Sequence, residues 1–154
     1  MKKQIKSYIG YFSYLVNHKI EVARRCFKEG LYLQGLLHDL SKFLPSEYIP
    51  FAYRFKWSSE KTPEETERIK TSFRYARDKH FSRNPHHWKY WVLDESQKTA
   101  LEMPDKYLIE MICDWEAVGK VKRDCAREFY EKDKNKIILH PKTRERLEDI
   151  LMNQ

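Results

Sequence analysis

Apolar and aromatic residues recur every three or four positions along almost the whole chain, which restricts it to helices packed on helices. Ile5, Tyr8, Phe12, Leu15, His18 and Val22 draw one face of a helix from about Lys3 to Lys28, with Gly30 ending it. The same spacing predicts a second helix from about Leu31 to Lys42, stopped before Pro45. A short third helix begins near Ser46, which has cap chemistry, and Pro50 kinks it or limits its first turn. Trp57 to Lys61 is a loop. Thr62, Pro63 and Glu65 then form a helix start, with Thr62 as the cap and Glu65 three residues on. Ile69, Phe73, Ala76 and His80 share a face of that helix, and Asn84-Pro85 breaks the chain direction.

Leu93 to Glu102 is polar and is expected to be a loop or a short helix. Met103-Pro104-Asp105 opens another helix, with Tyr107, Met111, Asp114 and Val118 on one stripe and Leu108, Ile112 and Trp115 on the next. That helix bends or ends around Gly119, and a further segment runs to about Lys132. His140-Pro141 starts a last helix, which carries Leu147, Ile150 and Leu151. No strand alternation, repeat or low-complexity segment stands out. The expected architecture is all-α: five to seven helices in one domain over residues 1–154, with its core at about 3–132 and the C-terminal helix at about 142–152.

The chain is long enough for one good core. With 41% hydrophobic and 34% charged residues it is neither disordered nor membrane-embedded, and no apolar run approaches a bilayer span. The basic start, Met1 to Lys6, leads into an amphipathic stretch and not into the apolar core of a signal peptide, so a cytoplasmic location is expected. Its four glycines, Gly10, Gly30, Gly35 and Gly119, are isolated, which excludes the common glycine-rich phosphate loops. Cys26, Cys113 and Cys125 are odd in number and form no CxxC pair, so they read as buried free thiols. The net charge of +7 is uneven: residues 1–93 hold 18 Lys/Arg against 9 Asp/Glu. That balance suits an anionic partner, a phosphate ester or a nucleic acid, or simply a solvated basic surface.

Five of the six histidines and two aspartates fall where helices can gather them: His18, His38, Asp39, His80, His86, His87 and Asp114. His18, His80 and Asp114 each lie on the apolar face of their own helix. A carboxylate among Met111, Ile112, Trp115 and Val118 needs a cation, hydrogen bonds or a proton to be buried. Imidazole and carboxylate are the usual ligands of Mn, Fe, Co, Ni and Zn, and one carboxylate can bridge two ions.

This order of residues resembles the HD-domain superfamily of metal-dependent phosphohydrolases. His18, His38-Asp39 and Asp114 are similar to its H…HD…D ligands, and His38-Asp39-Leu40-Ser41-Lys42 resembles the extended form of its central motif. His80 and His86-His87 are similar to the extra ligands of its two-metal branch. Asn84-Pro85-His86-His87 with Asp114-Trp115 also resembles a poorly characterised group of small bacterial and phage proteins. A Gly-Tyr-Pro segment near the histidine pair, found in the cyclic-dinucleotide branch, is missing.

The resemblance implies an HD-like bundle with one or two divalent transition-metal ions. His18, His38, Asp39 and Asp114 would hold the first, Asp39 would bridge, and His80 with His86, His87 or both would hold the second. It implies hydrolysis of a phosphate ester, a nucleotide or related anion, through a metal-bound hydroxide. Asp39 and Lys42 would be catalytic, and Lys19, Lys79 and Arg83 would contact the substrate or simply carry surface charge. Two other readings compete: an HD-fold di-iron oxygenase with the same ligands, and a non-enzymatic basic module that binds nucleic acid or protein.

Around this set, Asn17 and Asn84 are candidates to hydrogen-bond ligand imidazoles, and Asn84 equally suits a turn. Trp88, Trp91 and Trp115 suit core packing better than a site wall. Glu47 is a candidate acid or base, whereas Glu110 and Glu116 are expected on a solvated face and Cys113 in the core.

Overall fold

We analysed a computed structural model, which describes residues 2–55, 61–122 and 125–153. Among these residues seven α-helices carry the architecture: α1 (Lys2–Lys28), α2 (Tyr32–Leu37), α3 (Pro45–Arg54), α4 (Pro63–Phe81), α5 (Asp105–Lys122), α6 (Ala126–Asp133) and α7 (Pro141–Met152). The chain is all-α apart from a small antiparallel hairpin of β1 (Val92–Asp94) and β2 (Thr99–Ala100). That hairpin corrects the expectation of a loop or helix over 93–102. The pair is too short to show an alternating pattern, and Asp94 closes its turn by accepting from the backbone of Ser96 and Gln97. The Trp57–Glu60 stretch of the expected loop lies outside the described residues. No helix among them is long and apolar enough to cross a membrane.

Local chemistry explains most of the element ends. Thr62 accepts from the Glu65 amide while Glu65 reaches back to the Thr62 amide, so the α4 capping box closes as the sequence predicts. Gly30 leaves α1 at φ 73°, and the Leu31 amide returns to the Cys26 carbonyl. His140 caps α7 through its ring nitrogen. Two expectations are corrected at helix ends. α3 starts one residue earlier than Ser46, with Pro45 in its first turn and Leu44 as a cap without a side-chain bond. α5 does not stop at Gly119 but continues to Lys122.

The largest departure lies in the second helix. α2 ends at Leu37, His38 turns extended with ψ 126°, and Asp39 takes the left-handed conformation at φ 55°. A 3₁₀ turn, Leu40–Phe43, follows. Aspartate is one of the few residues that tolerates φ > 0. On a continuous helix His38 and Asp39 would diverge by about 100°. The break lets neighbouring side chains aim at one centre. Lys19 on α1 secures it from outside, donating from Nζ to the Leu36 and His38 carbonyls at 2.7 and 2.8 Å.

Three clusters of buried apolar residues surround the centre. Leu108, Met111, Trp115, Tyr130, Leu147 and Leu151 join α5 to α6 and α7. Val22 and Cys26 of α1 meet Cys113 and Ala117 of α5. Tyr11, Leu15 and Ala52 join α1 to α3 within a ring of aromatics. Cys26 and Cys113 are buried free thiols as expected, while Cys125 is exposed at the start of α6.

Candidate metal centre

Between α1, the α2 break, the end of α4, the 82–87 turn and α5, the fold gathers His18, His38, Asp39, His80, His86, His87 and Asp114. All are buried except His87, which is half-buried. Their donor atoms fall into two groups. His80, His86 and His87 surround Asp39, while His18 and His38 meet Asp114. Asp39 connects the two: Oδ1 lies 3.1 Å from His80 Nε2 and 3.4 Å from His86 Nε2, and Oδ2 lies 3.4 Å from His38 Nε2. Asp114 Oδ1 is 2.9 Å from His18 Nε2 and 3.8 Å from His38 Nε2.

The outer ring of the centre is carboxylate. Glu110 Oε1 accepts from Nδ1 of both His38, at 2.9 Å, and His86, at 3.2 Å. Glu47 Oε2 accepts from His80 Nδ1 at 2.9 Å and from the Ser41 hydroxyl at 2.9 Å. In each case a carboxylate holds the Nδ1 proton and the Nε2 edge is turned inward. Carboxylate–histidine pairs orient metal ligands in this way. His38, His86 and Glu110 also approach closely enough to hold an ion by themselves, but their facing atoms are already joined by hydrogen bonds.

Three observations fit this set of residues to metal. His38 Nε2, His86 Nε2 and Asp39 Oδ1 are buried without a hydrogen-bond partner, and all three face the interior of the cluster. His80 Nε2 and His87 Nε2 stand 2.8 Å apart, a separation suited to two nitrogens on one cation. The cluster also sets four buried carboxylates, Asp39, Glu47, Glu110 and Asp114, against the Lys42 ammonium. Uncompensated buried charge is expensive, so the balance must come from protonated imidazoles or from cations.

The titration of the groups carries the same sign. Burial raises Asp39, but His38 and Lys42 outweigh it and hold the carboxyl well below its ordinary value. Burial likewise opposes ionised Asp114, but the bond from His18 and the nearby His38 hold it below the carboxylate range. His86 is pushed up to about 10, because the facing carboxylates of Asp39 and Glu110 outweigh its burial, so its Nε2 holds a proton that a cation bound there would have to displace. His87 is depressed by burial and by His86 beside it, which keeps its lone pair free.

Lys42 reaches Asp39 Oδ2 at 2.6 Å. On the helix expected from Leu31 to Lys42 it would stand one α-helical turn beyond His38. Instead the 3₁₀ turn, in which positions three apart eclipse, stacks it over Asp39. Lys19 is occupied with backbone carbonyls, Lys79 is half-buried, and Arg83 is exposed and meets His80 through its backbone amide, which donates to the His80 carbonyl at 3.2 Å. Asn17 is exposed on α1, so it does not support a ligand imidazole. Asn84 does lie beside His80, with Nδ2 donating to the His80 carbonyl at 2.8 Å and to Ser41 Oγ at 3.1 Å. Trp115 packs in the core against Phe129 and Tyr130, and Trp91 donates to the Pro85 carbonyl.

A family model described as a family of unknown function (DUF5662) matches residues 7–153. The chain belongs to this family. Comparisons with curated proteins and with solved structures give no match. The matched span includes every residue of both donor groups. The family description assigns no activity, so the chemistry of the cluster has to carry the functional reading.

Glu110 and Glu116 correct the expectation of a solvated face. Glu110 is buried against His38 and His86, and Glu116 accepts from the Ala126 amide at 2.7 Å, tying α5 to α6. A signal for Glu110 was present: it stands four residues before Asp114, one turn along the same helical face. Glu47 proves to be a partner of His80, with no signal beyond its place near the motif.

Proposed function

We propose that the chain is a metal-dependent phosphohydrolase that acts on a phosphate ester, with a nucleotide or similar small anion as substrate. The supporting observation is the division of Asp39: one oxygen faces His80 and His86, the other faces His38 and Lys42. A carboxylate divided in this way suits two cations, and two-metal sites are well adapted to phosphoryl transfer. The ligand order, similar to the two-metal branch of the HD-domain superfamily, adds to this reading.

His18, His38, Asp39 and Asp114 would hold one ion, and Asp39, His80, His86 and His87 the other. When bound, divalent cations supply Lewis acidity toward phosphoryl oxygens and make water a stronger acid. The chain's own groups do the rest. Glu110 and Glu47 keep the Nδ1 protons of His38, His86 and His80 in place, so these rings neither turn nor change tautomer. Lys42 Nζ sets a positive charge beside Asp39, where a phosphoryl oxygen gaining negative charge is stabilised. Its burial opposes that charge, but Asp39 and Asp114 outweigh it and keep Lys42 protonated. Tyr14 lies parallel to the His18 ring at 6.0 Å and screens that side from water. Burial raises the Tyr14 hydroxyl above its ordinary value, so it stays a donor.

The test is metal analysis joined to a phosphate-release screen over nucleotides and simple esters. We expect about two divalent transition-metal ions per chain, phosphate release without oxygen, and loss of both in Asp39→Ala. Stoichiometric iron with substrate-dependent oxygen uptake would replace this reading with an oxygenase. A metal-free protein whose shift of DNA or RNA survives Asp39→Ala and falls with salt would leave a binding module.

A further inference from the structure

The outer side of α2 and the 3₁₀ turn is unusually apolar. Tyr32, Leu33, Leu36, Leu37, Leu40 and Leu44 are 47% to 68% exposed. Six large apolar side chains with about half or more of their surface in water put this face in the range of the largest apolar patch on a typical monomer, roughly 300–600 Å². The neighbouring face of α1 extends the surface. Phe12 meets Phe43 with ring centroids 6.2 Å apart, and Phe27 meets Tyr32 at 5.5 Å. Lys19 reaches the Leu36 carbonyl and so brings the middle of α1, with exposed Ile20, alongside α2. Phe12, Ile20 and Phe27, exposed on α1, widen the face toward the roughly 800 Å² per partner of a stable interface of standard size.

We infer that this face is the interface of a homodimer, covered by the same face of a second copy. Charge selects this occupant. From Gly30 to Ser41 the only side chains that can carry charge near neutral pH are His38 and Asp39, and both are buried in the metal centre. A nucleic acid would need lysines or arginines on the face. A membrane-lying helix would carry them beside its apolar side, and α2 has none. A second copy needs neither, and contact through an uncharged face spares two chains of net charge +7 from repulsion. Arg24, Lys28 and Glu29 are exposed close in sequence to Phe27, so the charge near this face is of both signs and forms no basic stripe. The same surface applied to itself closes as a two-fold pair. The interface would back directly onto the break that aims His38 and Asp39, so the partner would brace the ligand-bearing turn from outside. The inference does not depend on the reaction proposed above.

Sedimentation velocity over a concentration series tests it, with the full chain, a Leu33→Glu/Leu37→Glu variant and anionic phospholipid vesicles. Both leucines point away from the core, and circular dichroism checks that the variant keeps its helix content. We expect a species of twice the 18.8 kDa chain mass for the wild type and a single-chain species for the variant. A wild type that stays at single-chain mass at every concentration overturns the inference, and its recovery on the vesicles would assign the face to a membrane. A variant that dimerises like the wild type also overturns it, because the interface would then lie elsewhere. If the variant loses its helix content, Leu36→Ser/Leu40→Ser is judged by the same two masses.

Discussion

Glu110 and Asp114, four residues apart on α5, meet opposite ends of the His38 ring: Glu110 Oε1 lies 2.9 Å from Nδ1 and Asp114 Oδ1 lies 3.8 Å from Nε2. One helix thus supplies both a candidate ligand and the group that aims the neighbouring ligand. Because Glu110 also holds His86, it links one imidazole from each donor group. The two halves of the centre therefore share Glu110 on the outside and Asp39 on the inside.

Glu110→Gln keeps the size of the side chain and removes its charge. Gln can still accept a hydrogen bond, but it holds two imidazole N–H groups less firmly. Partners of this kind are worth about 10–100-fold in metal affinity, and we expect a loss in that range with helix content unchanged. Competition with a chromophoric chelator measures it. Unchanged affinity would mean that Glu110 does not orient the ligands.

Lys42→Met retains the aliphatic stem and removes the charge beside Asp39. We expect kcat for phosphate release to fall by about 100-fold or more, with metal content retained. Metal content matters to the interpretation, since the variant leaves the cluster more negative and should not weaken cation uptake. A variant that keeps full activity would reduce Lys42 to a structural partner of Asp39.

The sequence made the helical class legible because its apolar spacing follows one period from Ile5 to Leu151. The chemical signs of element ends, Thr62-Pro63-Glu65 and His140-Pro141, were equally local and could be read directly. The break at His38-Asp39 could not, because Leu36, Leu37 and Leu40 continue a helical pattern and tertiary contacts decide against it. The convergence of the seven candidate side chains depends on that break. The spacing suggested that they meet, but not that Asp39 would turn its two oxygens to different neighbours. Glu47 escaped notice for a related reason: its bond to His80 spans 33 residues and leaves no local trace.

Away from the centre, Tyr130 fastens α6 to α7. Its hydroxyl donates to Glu148 at 2.5 Å and accepts from Arg144 at 2.6 Å, while Arg144 also donates to the Ile137 carbonyl. Burial and the Glu148 bond push its pKa up to about 12. Tyr130→Phe should cost about 1–2 kcal/mol in urea unfolding. A raised pKa means that Tyr130 contributes fully below its unfolded value of about 10. The contribution is lost as the pH climbs through about 12, because the unfolded chain ionises first. The stability gap between wild type and variant should therefore narrow between about pH 10 and about pH 12. A gap that widens over that interval would mean that the bond does not hold the proton.

Gly35 sits where α2 touches α1, and an added Cβ would stand 2.9 Å from Phe27 Cε1, 3.1 Å from the Ala23 Cα and 3.1 Å from Cys26 Cβ. The far end of the Phe27 ring can shift, but the Ala23 backbone cannot, so Gly35→Ala must lift α2 from α1. Overpacking of this kind costs about 1–3 kcal/mol, and the better helix propensity of alanine returns up to about 1 kcal/mol. We expect a net loss of about 1 kcal/mol in urea unfolding. Metal affinity should fall too, because α2 carries His38 at its end and its carbonyls hold Lys19. A variant as stable as the wild type would show that α2 can move away freely. A variant that is less stable but has full metal affinity would show that the ligand turn is positioned from α5 and α3, not from α2.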